Sequence, residues 1–252
     1  MKRTYTKDIA KKVGKMVTVK GFVHTIRNQG KIAFLILRDV TGQLQCVFIK
    51  NSNEKMYGII EQLSSESVVE INGMVKEEKQ APGGYEVQAE KIKVLSRATP
   101  VLPIPVIVEK GGEETDMAIR LDWRWIDLRK EDKLKIFKVW TEMEKGVRKH
   151  FDKSGYIQIY TPSIMSSPSE SGAEVFEVKY FDRTAYLAQS PQFYKQAAIA
   201  SGFDKVFMVG PVFRAEPSFT TRHMTEFTGW DFEISYIDSH HQVIVLFIQQ
   251  KI

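Results

Sequence analysis

From residue 16 to residue 96 the apolar positions fall into short runs rich in branched and aromatic side chains, at 17–27, 31–38, 44–49, 68–75 and 85–95. Asn28-Gln29-Gly30 and the stretch 39–42 separate the first three, and both are turn-formers. Residues 53–63 change period. Met56, Ile59, Ile60 and Leu63 recur at helical spacing, which predicts one short helix. Pro82 to Gly84 supply the turn into the last run. Five strands with a helix after the third predict a small Greek-key barrel of the OB type. Phe34 alternates with Leu35, and Gln45 with Leu44 and Cys46. Phe34, Gln45 and Glu86 are therefore expected to project from neighbouring strands, where a ring can stack an unpaired base and an amide and carboxylate can read its edge. The competing reading makes Phe34 a core residue.

The pattern changes at residues 98–106, ATPVLPIPV, where three prolines predict an extended, semi-rigid connection. The expected organisation is a domain at 1–100, a linker at 101–133 and a second domain at 134–252. Within the linker, residues 120–135 set basic groups among Trp123, Trp125 and Leu128, which suits an interdomain surface with some RNA contact. Ile136, Trp140, Met143, Val147 and Phe151 then recur every three or four residues and define one apolar face of a long helix that Gly155 ends. A strand is expected at 156–160, stopped by Pro162. Residues 166–176 are small and polar, with Glu170 and Glu174 embedded, the composition of a mobile loop. Ser190 and Pro191 open a helix that runs to Ala200, with Gly202 just beyond. On it Gln192, Lys195 and Gln196 share a face. Residues 238–252 read as a further helix.

Residues 211–233, PVFRAEPSFTTRHMTEFTGWDFE, read as a strand, a polar loop and a returning strand. With a period of two, Val206, Met208, Val212, Arg214 and Glu216 share one face of the incoming arm, and Thr225, Phe227, Asp231 and Glu233 share one face of the outgoing arm. If the arms pair antiparallel these faces can coincide. Thr220, Thr221, Arg222 and His223 would sit at the tip. A base could then stack on Phe227 while phosphates lie between Arg214 and the Arg222–His223 pair. The bland alternative is an amphipathic hairpin with a solvated face, and the aromatic ring among acidic neighbours disfavours it.

The FRAE…TTRH…EFTGWDFE run resembles motif 2 of the class II aminoacyl-tRNA synthetases, and more narrowly the aspartyl enzymes of archaeal and eukaryotic type. The helix–strand–proline order at 136–162 resembles motif 1, which implies a homodimer through that segment. The resemblance implies an α+β chain: an N-terminal five-stranded OB-type barrel, then part of a class II antiparallel sheet with flanking helices. It implies ATP-dependent activation of L-aspartate and transfer to tRNA, with Mg2+ accompanying the polyphosphate. Arg214 would meet the α-phosphate, Phe227 the adenine, and Arg222 with His223 the outer phosphates. Glu216 would lie near the adenine and the tRNA end. Glu170, Gln192, Lys195 and Asp231 would hold aspartate, and Lys195 with Asp231 would select it over asparagine.

In the barrel, G-F-V-H-T-I-R and R-D-V-T-G-Q-L-Q match the family, so Arg27, Phe34, Gln45 and Glu86 would read the anticodon. His24 and Pro82 fit the members with relaxed specificity, which charge the asparagine tRNA as well as the aspartate tRNA; stricter members tend to have Trp at the first position. The family's third motif, its metal-binding acidic residues and a second arginine for aspartate have no counterpart up to Ile252. The chain therefore reads as an N-terminal portion, expected to be largely inactive in aminoacylation by itself and to hold no protein-bound metal. A non-catalytic tRNA-binding remnant, or an asparaginyl or lysyl relative, are the other readings.

Composition narrows the picture only slightly. The chain has 252 residues, 43% hydrophobic and 27% charged, which excludes disorder as the default. A formal charge of +5 leans towards an anionic partner. Cys46 is the only cysteine, so an internal disulfide and a cysteine-based zinc site are both excluded. Residues 243–248 form the longest apolar block near the end, far too short for a bilayer, and a cytoplasmic protein is expected.

Overall fold

In the computed structural model, residues 2–50, 53–108, 111–170, 174–218, 220 and 222–248 are described, the last four without their side chains. The chain divides after Asp127 into two compact units.

The first unit is a closed barrel of β1 (Met16–Gln29), β2 (Ile32–Asp39), β3 (Gly42–Ile49), β4 (Val68–Glu77) and β5 (Tyr85–Ser96), in the order β1-β2-β3-β5-β4. The helix α1 (Glu54–Glu61) follows β3, and the Asn53 side chain caps it by accepting from the Met56 N–H at 3.0 Å. Alternation explains the interior. Val19, Val23, Leu35, Leu37, Cys46, Phe48, Val69, Ile71 and Val87 point inward and are buried, together with Met56 and Ile60 of α1. Burial pushes the Cys46 thiol well above its ordinary range, so it behaves as a small apolar filler. Gly73 is required by packing, because a Cβ there would collide with the Gln88 carbonyl of the adjoining strand. Beyond the barrel, Ile104 and Val106 pack with Ile126. Two short helices, α2 (Met117–Asp122) and α3 (Arg124–Asp127), close this unit.

The second unit opens with α4 (Glu131–Lys153), which ends at Gly155 in the left-handed region, φ 75°. There follow β6 (Ile157–Gln158), β7 (Ile164–Met165), β8 (Glu177–Tyr180), β9 (Arg183–Leu187), α5 (Gln192–Ala200), β10 (Lys205–Phe213), β11 (Glu226–Ile234) and α6 (His240–Ile248). They form two three-stranded sheets, β11-β10-β6 and β7-β9-β8. All pairs are antiparallel except β6 with β10. The strand expected at 156–160 is thus reduced to two paired residues, since its ladder with β10 covers only Val206 and Phe207.

The apolar face of α4 is not uniformly buried. Val147 and Phe151 enter the core, where Phe151 stacks on Phe207 at 4.6 Å beside Tyr156 and Phe232. Ile136, Trp140 and Met143 are 46%, 60% and 41% exposed. Helical periodicity identifies a face, and only the neighbours decide how much of it is covered. Among the described residues no helix is long and apolar enough to cross a membrane.

Candidate nucleotide and amino-acid site

The hairpin β10–β11 pairs Val206 with Glu233, Met208 with Asp231, Gly210 with Gly229 and Val212 with Phe227. Opposed residues in such a ladder project to the same side, so the two faces expected from alternation do coincide. The other side carries Phe207 and Phe232, which pack on Phe151. The ribbon thus turns one face to the Phe151 cluster, while the other sets Phe227, Asp231 and Glu233 of β11 opposite the buried Val212, Met208 and Val206 of β10. Halfway along this second face stands the pair Gly210–Gly229, where a Cβ on Gly229 would press within 2.9 Å of Val212 and 2.8 Å of Asp231. The pair contributes no side chain of its own, and Met208, Val212 and Asp231 close in over it.

At the first end, α5 lies against the ribbon. Gly202 in the left-handed region, φ 94°, lies just beyond the helix, and Ser190 Oγ accepts from the Gln192 N–H at 3.1 Å. Pro191 occupies the capping position, one residue earlier than the first-turn place expected of it. Lys195 is only 4% exposed. Its Nζ lies 3.6 Å from Asp231 Oδ1 and 3.4 Å from Glu233 Oε2, and it donates to the Phe232 carbonyl at 3.4 Å. Gln192 Nε2 donates to Glu233 Oε2 at 3.1 Å. A buried ammonium needs such compensation, and here two carboxylates supply it. Gln196, on the same predicted face, is exposed instead.

At the other end, the Arg214 guanidinium lies over the Phe227 ring, 5.8 Å from its centre. Its nearest carboxylates, Glu170 Oε2 and Glu216 Oε1, are both 4.0 Å away, beyond hydrogen-bonding distance. Arg214 Nε is buried and has no partner among the described residues. A guanidinium with unused donors beside an open aromatic face is a receptor for an anion attached to a planar ring. Arg222 and His223 lie exposed in the connecting loop, with His223 Nδ1 2.7 Å from Thr220 Oγ1. Thr221 lies outside the described residues.

Two residues to which the sequence reading assigned no role emerge here. Glu233 bridges Gln192 and Lys195, and its alternation with Asp231 was the available signal. Gln189 is buried: its backbone N–H donates to Ser169 Oγ at 3.2 Å, while its Oε1 accepts from the Glu170 N–H at 3.1 Å and its Nε2 donates to the Glu174 carbonyl at 3.5 Å. The described flanks of the loop expected to be mobile are thus tied down. Nothing in the local sequence marks Gln189 as that tie.

On the barrel, Ile36 opposes Gln45, and Gln45 opposes Glu86, to which its Nε2 donates at 3.0 Å. Phe34 opposes Arg27 on one side and Val47 on the other, half-buried on the outer surface. These four residues share one outward face. His24 sits at a bulge in β1, with Nδ1 3.3 Å from Arg38 Nη1, while Arg38 Nη2 pairs with Glu66 Oε2 at 2.9 Å. Pro82 lies exposed in the turn between β4 and β5. Among the described residues no three His, Cys, Asp or Glu side chains gather as a metal site.

An OB barrel with a polar outward face, followed by a sheet that pairs an open arginine–aromatic platform with a buried lysine, defines the architecture of a class II aminoacyl-tRNA synthetase. Comparison with known families agrees. Residues 116–250 match the tRNA synthetases class II (D, K and N), and residues 17–95 match the OB-fold nucleic acid binding domain. The chain belongs to this class II family. It is 41% identical over 244 residues to an aspartate–tRNA(Asp) ligase of Picrophilus torridus, covering 97% of this chain and 56% of that protein. It is 40% identical over 246 residues to an aspartate–tRNA(Asp/Asn) ligase of Methanopyrus kandleri, with coverage of 97% and 56%. Among solved structures, asparaginyl-tRNA synthetase from Pyrococcus horikoshii complexed with asparaginyl-adenylate superimposes with a TM-score of 0.89 at 34% identity, over 99% of this chain and 58% of that one. The chain spans about half the length of the relatives it matches.

Proposed function

We propose that the protein is an aspartate–tRNA ligase of relaxed specificity, charging the aspartate and asparagine tRNAs. The α-carboxylate of aspartate attacks the α-phosphorus of ATP and pyrophosphate leaves. The hydroxyl of the terminal adenosine of tRNA then attacks the carbonyl carbon of the mixed anhydride and AMP leaves. Both steps depend on positioning and charge neutralisation. Arg214 donates to the α-phosphate oxygens as charge builds there, and Phe227 stacks the adenine. Arg222 and His223 meet the outer phosphates, and Glu216 lies by the adenine and the tRNA end. Lys195, oriented by Asp231 and Glu233, meets the side-chain carboxylate of aspartate. Gln192 supports it, and Glu170 takes the ammonium. ATP would bring magnesium on its phosphates, and the ion would offset their charge.

Residues 1–100 serve as the anticodon-binding domain, with Arg27, Phe34, Gln45 and Glu86 as readers and His24 with Pro82 setting the tolerance. Residues 101–133 act as the linker, and 134–252 carry the first part of the catalytic domain. The exposed apolar half of α4, with the segment to residue 162, forms a homodimer interface, and the enzyme works in the cytoplasm.

One observation carries this reading: the Arg214 guanidinium, held over Phe227, has a buried donor with no acceptor. Calorimetric titration of the 252-residue chain with aspartyl and asparaginyl sulfamoyl-adenosine tests it. Tighter binding of the aspartyl analogue is expected. Binding of neither, or preference for the asparaginyl analogue, would overturn it. The second outcome would favour asparagine activation, which the likeness to the Pyrococcus enzyme keeps in play.

A further inference from the structure

The charge of this chain is unevenly placed. Of its 36 cationic and 31 acidic side chains, the first twenty residues hold seven and one, so everything after Lys20 is net negative by a single charge. This cationic segment is folded onto the barrel. The Thr4 N–H donates to the Thr18 carbonyl at 2.7 Å, and Arg3 Nη2 donates to the Lys20 carbonyl at 2.8 Å. Thr6 N–H and Oγ1 donate to the Asp39 carboxylate at 2.9 and 2.8 Å. The segment and the start of β1 line a concavity of about 630 Å³ that includes Lys2, Arg3, Tyr5, Lys11, Lys12 and Lys15. Asp8 is the one carboxylate there, and Lys11 already engages it at 3.4 Å. Lys2, Lys12 and Lys15 have no ion-pair partner among the described residues. The Tyr5 ring is exposed beneath the Arg3 guanidinium at 4.5 Å.

The position of this surface relates it to the reading face. Met16, on its wall, opposes Met74, which opposes Gln88, then Val47, then Phe34. Four strand-to-strand steps around the closed barrel, a surface path of roughly 19 Å, therefore connect the concavity to the proposed base-stacking ring. One row higher, Lys76 opposes Glu86, the acceptor for Gln45. Lys15 is fastened to that same strand, its carbonyl accepting from the Val75 N–H at 3.1 Å. The path from Gln45 to Lys15 crosses strands of a single barrel.

We propose that this concavity is a second RNA contact, holding the phosphodiester backbone that leads away from bases on the Phe34–Gln45–Glu86 face. Lysines without carboxylate partners bind phosphates by displacing condensed counterions, which supplies affinity without reading sequence. The proposal rests on the barrel's reading as an RNA-binding domain, and it adds where the non-specific affinity resides.

Fluorescence anisotropy of the 252-residue chain with tRNA across about 50 to 200 mM salt tests it. Replacing Lys2, Lys12 and Lys15 by Ala removes three phosphate contacts. The slope of log K against log salt should fall by about two, making the loss of affinity across that range roughly twentyfold shallower. The loss should be equal for a tRNA with an altered anticodon. The triple Arg variant should keep the wild-type slope, and Lys91→Ala with Lys93→Ala, exposed elsewhere on the barrel, should leave it nearly unchanged. Circular dichroism checks that each variant is folded. An unchanged slope, an equal fall in the Lys91/Lys93 control, a loss confined to the matched anticodon, or no tRNA binding at low salt would each overturn the proposal. Failure of the anticodon reading shows separately, as Phe34→Ala and Gln45→Ala variants that leave anticodon dependence intact.

Discussion

The guanidinium carbon of Arg214 stands 5.8 Å from the centre of the Phe227 ring, although the two residues are separated by the whole loop of the ribbon. Val212 opposes Phe227, and the Arg214 N–H donates to the Thr225 carbonyl at 2.9 Å, which carries the pairing past the end of the formal strands. Register alone thus brings a cation and an aromatic face together. Their separation is set by backbone hydrogen bonds, so the platform exists before any ligand arrives.

Arg214→Ala should weaken binding of the aspartyl analogue by roughly 10- to 150-fold per lost charge-assisted hydrogen bond, at about 1.5–3 kcal/mol each. Arg214→Lys should recover only part of this, because an ammonium cannot present two parallel donors. Calorimetry reads both. Equal affinities for all three proteins would show that Arg214 does not touch the ligand.

Phe227 is 37% exposed, so its replacement should cost little stability. Loss of base stacking is worth about 1–3 kcal/mol, so Phe227→Ala should bind the analogue roughly 5- to 150-fold more weakly. Phe227→Tyr should stay close to wild type. Competition with free adenosine separates this from an effect on the amino-acid end, since only a stacking role alters both ligands.

Asp231→Glu moves a carboxylate one methylene further from the backbone, towards the buried Lys195 ammonium, now 3.6 Å from Asp231 Oδ1. The aspartyl analogue should lose affinity relative to the asparaginyl one, because the lysine is drawn to its internal partner. The ratio of the two affinities is the measurement. Lys195→Met should destabilise the second unit as well, by leaving Asp231 and Glu233 facing each other without a cation.

His24 gives a pH prediction. Burial and then the Arg38 guanidinium hold its imidazole below the ordinary 6.5, with Glu66 opposing them. Arg38 can only donate, so His24 Nδ1 accepts and the folded state favours the neutral ring. Once the pH drops below about 6.5 the unfolded chain takes up the proton more readily, and stability is lost in that direction. Thermal unfolding should show a larger drop between pH 7.5 and 5.5 for wild type than for His24→Gln. Equal drops would remove His24 as the source.

Along α4 two variants should behave oppositely. Phe151→Ala empties a stacked core position and should cost about 3–5 kcal/mol in denaturant unfolding. Trp140→Glu, on the exposed half, should leave unfolding of the isolated subunit nearly unchanged but shift sedimentation from dimer to monomer. A variant that sediments like wild type would show that this face of α4 makes no dimer contact.

Much of this architecture could be read from periodicity. Strands with a period of two and a helix with spacings of three and four describe the barrel to within a few residues, because each pattern reflects which side of an element meets water. The shared face of Arg214, Phe227, Asp231 and Glu233 followed from the same rule once an antiparallel pairing was assumed. Three features had no local signature. The extent to which α4 is covered depends on Phe207 and Phe232, more than fifty residues away. Gln189 ties Ser169 and Glu174 only because strand pairing delivers it there. Lys195 becomes a buried, doubly paired ammonium because α5 lies across β11, whereas in sequence it is one lysine among many. Local order is encoded by side-chain alternation along the chain; which distant groups meet, and whether water is excluded when they do, is decided by packing.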